Sequence, residues 1–88
     1  MGVPYIFVNK KKMHVFLCYG LEPSNEELLY LFKLIKKLEW DLDDIEILDI
    51  VDLTKEFLKH NKKDEGWYMT LVRMNFEVFT LISSPLIV

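Results

Sequence analysis

Three side chains able to bind a metal recur at a helical spacing in this sequence. Glu56, His60 and Asp64 each lie four residues apart, so one continuous helix would align them as ligands for a divalent cation. Asp64 belongs to the segment KKDEG, which is typical of a loop and breaks that alignment. The simpler interpretation places His60 near a helix C-terminus, where it interacts with the helix dipole. We therefore predict no metal site.

Cys18 is the single cysteine of the chain. One cysteine excludes an internal disulfide and indicates a reducing compartment, so we expect a cytoplasmic location. A reactive thiolate needs partial exposure and either a helix N-terminus or a nearby cation. Cys18 instead follows the apolar residues Phe16 and Leu17, and we interpret it as a small buried residue. A redox protein with one cysteine is the alternative.

Acidic side chains are concentrated in one short segment, at Asp41, Asp43, Asp44 and Glu46. The segment lacks the glycine and the ligand spacing of a calcium-binding loop. We interpret it as a solvated acidic loop. The alternative is a docking surface for a basic partner, where charge would govern the rate of encounter more than the affinity.

Lysines form two clusters that would contact nucleic acid if the fold brought them together: Lys10, Lys11, Lys12, Lys59, Lys62 and Lys63. Tyr5, Trp67 and Tyr68 are candidate stacking partners for bases. The pI near 5.3 and the single arginine argue against this function, since arginine is the residue suited to bidentate phosphate and guanine contacts. Nucleic-acid binding stays an alternative. We interpret the lysines as groups that keep sheet edges soluble.

The bulk composition describes one small globular domain. The chain has 88 residues, of which 51% are hydrophobic and 28% charged, with a net charge of −3. No stretch approaches the ~18 apolar residues of a membrane span, so we predict no membrane contact. A glycine-rich phosphate loop and a nucleophile elbow are both missing. We therefore expect a protein without enzymatic activity and without a cofactor.

The stretch from Ser24 to Leu38 predicts the central helix of the domain. Ser24 and Glu27 have the spacing of a capping box. Apolar residues cover one broad side of this helix, spanning an arc of roughly 220° where ~100° is usual: Leu28, Leu29, Leu31, Phe32, Leu34, Ile35 and Leu38. Either the helix lies between a sheet and another element of the same chain, or part of the arc contacts a second subunit.

The remaining segments predict a mixed sheet and a second helix. We expect strands over residues 5–8, 13–19, 45–51, 67–74 and 76–82, and a helix from Leu53 to about Asn61 capped by Asp52. The first two strands form a hairpin, and the last two form an antiparallel hairpin that turns at Asn75, with one long bent strand as the alternative. The second and third strands form a right-handed parallel crossover. The prediction is a single α/β domain of order β-β-α-β-α-β-β.

Three segments carry a resemblance to known proteins: FLCYGLEPSNEELL, IEILDIVDL and TLV, at residues 16–29, 45–53 and 70–72. From residue 13 to about 82 the element order is similar to the thioredoxin-like fold, and these segments resemble the clock protein KaiB. Thioredoxins have two cysteines at the start of the first helix, where this chain has EPSN, and a cis-proline where it has GWYM. The resemblance implies a thioredoxin-like fold without its redox site, in a module that acts by protein contacts.

We predict from these observations a homodimeric protein–protein interaction module, which acts as a small regulator or inhibitor of a larger assembly. Its partners would be a second copy of the chain and another protein. The size and composition suit a virus or a mobile element. The protein–protein interface would lie on the broad face of the central helix or on the edge of the C-terminal hairpin. The predicted contact residues are Leu29, Leu34, Leu38, Trp40, Phe79 and Leu81.

Overall fold

A computed structural model describes residues 5–18, 20 and 22–81 of the chain. These residues form a small mixed α/β domain, as predicted. The strands are β1 Tyr5–Asn9, β2 His14–Cys18, β3 Ile45–Leu48 and β4 Glu77–Phe79. The helices are α1 Asn25–Lys37, α2 Ile50–Glu56 and α3 Trp67–Arg73, and short 3-10 turns cover Leu42–Asp44 and Leu58–His60.

The four strands lie in the order β3-β1-β2-β4. β1 and β2 form the predicted antiparallel hairpin, and the backbone N–H of Lys12 donates to Asn9 Oδ1 across its turn at 3.0 Å. β3 is antiparallel to β1, and β4 is parallel to β2. β2 and β3 therefore run in the same direction, as predicted, with β1 between them. Among the described strands, β3 and β4 form the two edges of the sheet.

Helices cover both faces of the sheet. Side chains alternate between the faces of a strand, so Phe7 and Phe16 pack under α1 while Ile6 and Val15 pack under α2 and α3. This arrangement explains why β1 and β2 are apolar on both sides. Two separate clusters of buried residues result, one beneath α1 and one beneath the other two helices.

α1 begins as its sequence predicts. Ser24 Oγ accepts from the backbone N–H of Glu27 at 3.1 Å, and Glu27 Oε1 accepts from the backbone N–H of Ser24 at 2.9 Å. The helix ends at Lys37 with Leu38 as its C-cap. Glu39 then takes a left-handed conformation with φ of 55°, which turns the chain away from the helix axis.

The predicted strand over residues 67–74 is wrong, because this segment is the helix α3. Trp67, Leu71 and Met74 recur at helical spacing and pack on the sheet. The helical periodicity is not visible in the sequence, because the exposed residues Tyr68, Met69 and Val72 are also apolar. Continuous apolar runs do not distinguish a strand from a helix by periodicity alone.

The predicted C-terminal hairpin is wrong for the same reason. Asn75 does adopt the left-handed conformation expected of a turn residue, with φ of 72°, but it follows a helix and leads into β4. β4 pairs in parallel with β2, so no antiparallel hairpin joins residues 67–81. The end of the predicted strand, Ile82, and the apolar tail after it lie outside the described residues.

The predicted third strand also extends too far. β3 ends at Leu48, and the N-cap of α2 is Asp49 rather than Asp52. The Asp49 carboxylate accepts from the backbone N–H groups of Val51 and Asp52, at 2.9 and 3.1 Å. These bonds satisfy amides of the first helical turn. They outweigh the preference of the β-branched residues Ile50 and Val51, which begin α2, for a strand. Both β-branched side chains are exposed.

Candidate functional site

Glu56, His60 and Asp64, the three candidate metal ligands, do not lie on one continuous helix. Glu56 Oε1 lies 3.1 Å from Lys10 Nζ in an ion pair. The backbone carbonyl of His60 accepts from the guanidinium of Arg73, and Asp64 lies in a loop with φ of 67°. Within the part of the chain that the structure describes, no three His, Cys, Asp or Glu side chains are grouped to hold a metal ion.

Cys18 lies in the core beneath α1 with none of its surface exposed. Burial raises the pKa of its thiol to about 12, and the nearby Glu27 carboxylate adds to the rise. The thiol is therefore neutral at physiological pH. Since nucleophilic and redox chemistry need the thiolate, the position favours a packing role for this side chain.

Two of the predicted nucleic-acid contacts are occupied by the protein itself. Lys10 Nζ lies 3.1 Å from Glu56 Oε1 and 3.3 Å from Glu46 Oε1. The carboxylate of Glu56 makes the largest contribution to raising the pKa of Lys10, and the carboxylate of Glu46 raises it further. Lys12 Nζ donates to the Leu38 carbonyl at 3.0 Å, where the negative end of α1 favours a cation.

The other four predicted lysines are exposed: Lys11, Lys59, Lys62 and Lys63. The ion pair from Lys10 to Glu56 brings the hairpin turn close to the end of α2, about one helical turn before Lys59. The two carboxylates that Lys10 binds, those of Glu46 and Glu56, are also negative charges beside this turn, and they lower its attraction for a phosphate backbone.

A cluster of rings joins the end of α1 to β2 and β4. Trp40 Nε1 donates to His14 Nδ1 at 3.0 Å, and the two rings stack with their centroids 5.9 Å apart. The Phe79 ring meets His14 edge-on at 5.5 Å, and Glu77 Oε1 lies 3.7 Å from His14 Nε2. Sequence spacing gave no sign of this cluster, because its members are brought together only by the sheet.

Protonation of His14 would oppose the hydrogen bond from Trp40, because Nδ1 would then carry a proton and lose its acceptor lone pair. Burial lowers the pKa of His14 below its ordinary 6.5, and Lys12 lowers it further, against an opposing effect of Glu77. A lowered folded-state pKa means that the unfolded chain binds more protons just below pH 6.5. The contribution of neutral His14 to the free energy of unfolding is therefore present in full above pH 6.5. It declines as the pH falls from 6.5 through the lower pKa of the folded state.

We expect the variant His14→Asn to lose this pH dependence, because an amide oxygen can accept from Trp40 without titrating. The free energy of unfolding, measured by urea titration between pH 5 and 8, should fall toward low pH more steeply in the wild type than in the variant. The titrations of carboxylates away from His14 are common to both proteins and cancel in the difference. Val72→Thr, an exposed position on α3 that changes no titrating group, is the control and keeps the wild-type slope. Equal slopes in the wild type and His14→Asn would contradict the assignment.

An apolar groove of about 200 Å³ lies between α1 and the edge strand β3. Its lining consists of aliphatic and aromatic side chains: Phe7, Leu31, Ile35, Leu42, Ile45 and Ile47. At its rim, Leu42 is 70% exposed and Ile47 is 60% exposed. Sequence reasoning missed both residues; the signal available for Leu42 was an isolated leucine within the acidic segment DLDD.

The outward side of α1 carries a second exposed apolar surface. Leu29 is 62% exposed and Phe32 is 63% exposed. Phe32 precedes Ile35 by three residues, so the two side chains are neighbours on the helix, and Ile35 lines the groove. We call Leu29, Phe32 and Ile35 the α1 patch. It connects the outward side of the helix with the groove.

Most of the predicted interface residues do not belong to this surface. Leu34, Trp40 and Phe79 are buried within the domain, and Leu38 and Leu81 are half-buried. Only Leu29 of the predicted set is well exposed. The burial of Leu34 has a simple cause, because the centre of the broad apolar arc of α1 packs on the sheet.

Comparison of the chain with protein families, with curated proteins and with solved structures gives no match. None of the helices in the described ranges is long and apolar enough to cross a membrane.

Proposed function

We propose that this chain is a protein-interaction module that forms a homodimer through the α1 patch. The observation that carries the proposal is the exposure of Leu29 and Phe32 beside the helix face that packs on the sheet. A single exposed leucine is ordinary on a protein surface. Adjacent exposed apolar side chains that continue into a groove form a contiguous patch, which is typical of an interaction site.

Charges around the α1 patch favour an antiparallel pairing of two copies of the helix. Glu26 lies in the first turn, while Lys33 and Lys36 lie in the second half, and all three are exposed. A two-fold axis between two antiparallel helices puts Glu26 of one copy near the lysines of the other. The same arrangement sets opposite ends of the two helix dipoles side by side.

The size of the patch sets the expected strength of the dimer. A stable interface buries about 800 Å² on each partner, and the α1 patch supplies only an apolar centre with a charged rim. We therefore expect a dissociation constant of about 1–100 µM, which corresponds to roughly 5–8 kcal/mol of binding free energy. Such a dimer exchanges readily, as suits a small regulator or inhibitor of a larger assembly.

Sedimentation equilibrium between about 5 and 500 µM tests the dimer, with the range chosen to bracket the expected dissociation constant. The wild type should pass from monomer to dimer across it. Leu29→Glu places like charges at the centre of the interface and should weaken the dimer by at least about tenfold. Tyr68→Glu is the control, since Tyr68 is exposed on α3, away from α1. A wild type that stays monomeric throughout, or dimers equally stable in both variants, would refute the proposal.

A further inference from the structure

We infer that the open side of β3 and the adjoining groove bind an extended peptide segment of a partner protein, with apolar residues at its centre and basic residues at both ends. This surface shares Ile35 with the α1 patch, but the strand pairing would take place on the backbone of β3, so the inference does not require the homodimer. It rests on a sheet edge, a groove of suitable size and the charges that surround them.

The backbone of β3 is available for pairing on one side. β3 is the terminal strand of the sheet and pairs only with β1 among the described strands. An edge strand presents N–H and C=O groups that can bind another strand. In this mode of recognition the main-chain bonds supply affinity, and pockets for alternate side chains supply specificity.

The groove supplies such a pocket beside the edge. Ile47 lies opposite Phe7 in the β1–β3 register, so both side chains point to the face that α1 covers. The volume of about 200 Å³ exceeds the ~150 Å³ cavity that accommodates a benzene ring. One aliphatic side chain of an added strand can therefore enter between Ile47 and Leu42 and bury apolar surface that is now exposed.

Acidic residues stand at both ends of β3. Asp43 and Asp44 precede the strand and Asp49 follows it. Glu46 lies within the strand, but its side chain is paired with Lys10. Lysine or arginine at the ends of an added strand would lie near the flanking carboxylates, and acidic residues there would be repelled.

The same charges argue against a second copy of this chain as the occupant. If two β3 strands paired antiparallel over their full length, Ile45 would face Leu48, and Asp44 of one copy would face Asp49 of the other. Like charges in directly opposed positions destabilise a pair of strands. The edge is therefore better suited to a basic segment than to itself.

Fluorescence polarisation with labelled synthetic peptides tests the inference, using the full chain carrying Leu29→Glu so that dimerisation does not interfere. The probe is KKVTVTVKK, and the comparison peptides are EEVTVTVEE and the lysine peptide with N-methylated valines. We expect the lysine peptide to saturate the protein with a dissociation constant below about 1 mM, and each comparison peptide to bind at least about tenfold more weakly.

Substitutions in the protein locate the binding. Ile47→Thr keeps a β-branched residue but removes apolar surface, and it should weaken the lysine peptide by about tenfold. Asp43→Asn combined with Asp44→Asn should weaken it and reduce its dependence on salt. Val72→Thr, on the exposed side of α3, is the matched control and should have no effect.

Three results would overturn the inference. The first is no saturation by the lysine peptide at millimolar concentration. The second is equal binding of the N-methylated peptide or equal binding to Ile47→Thr, which would show charge attraction without strand pairing. The third is self-pairing through the edge, seen if the Leu29→Glu protein remains dimeric and Ile47→Thr makes it monomeric.

Discussion

Replacing Leu34 by alanine should lower the free energy of unfolding by about 2–5 kcal/mol, whereas the same change at Leu29 should alter it by less than about 0.5 kcal/mol. The two leucines lie on one helix, and both changes remove the same atoms. Leu34 has none of its surface exposed and packs in the core between α1 and the sheet, while Leu29 is 62% exposed. The difference therefore measures which way the helix faces.

Urea unfolding of the two variants makes this comparison, with buried Trp40 as the fluorescent reporter. The protein concentration must stay in the low micromolar range, because a dimer would link stability to concentration and would add an effect at Leu29. Equal losses at the two positions would contradict the orientation of α1, and a larger loss at Leu29 would reverse it.

The Cys18 thiol should react with a disulfide reagent at least about a thousandfold more slowly in the folded protein than in the unfolded chain. Its pKa of about 12, against an ordinary 9.0, lowers the thiolate fraction at neutral pH by roughly three powers of ten. The lack of exposed surface slows the reaction further. Reaction of the native protein should then depend on transient opening of the fold.

Absorbance of the released thiol follows this reaction, with the urea-unfolded chain as the internal control. Leu34→Ala should accelerate the reaction of the native protein, because it lowers the cost of opening the core around the thiol. Rapid reaction of Cys18 in the stable folded protein would contradict its burial. It would also favour the alternative of a redox protein with one cysteine.

Local signals in the sequence predicted the elements that depend on neighbouring residues. The capping box of Ser24 and Glu27 set the start of α1, and the polar turn between two β-branched runs set the β1–β2 hairpin. Each depends on contacts within a few residues, so a pattern in one stretch of sequence was enough.

Sequence patterns failed where apolar residues face in every direction. Residues 67–74 are apolar on both sides of α3, because Leu71 meets the sheet while Val72 lies exposed. Nothing in such a run separates a strand from a helix. The first turn of α2 was predicted as part of a strand. Asp49 and Asp52 both have side chains able to cap a helix, so the sequence alone did not identify Asp49 as the N-cap.

The candidate surfaces depended on contacts that no local pattern reports. Trp40 was predicted at an interface, yet its indole lies buried against His14, a residue 26 positions earlier in the chain. Ile47 and Leu42 form one rim only because β3 takes the edge of the sheet beside α1. The broad apolar arc of α1 did indicate spare apolar surface, and its exposed part includes Leu29, which was predicted at the interface, and Phe32, which was not.

Concentration-dependent NMR tests the α1 patch most directly. Amide spectra of the isotopically labelled wild type, recorded from low to high micromolar concentration, report which residues change surroundings as copies associate. We predict shifts concentrated on the outward side of α1 around Leu29 and Phe32, with little change on α3. Spectra that do not vary with concentration, or shifts centred on Tyr68 and Val72, would contradict the proposed interface.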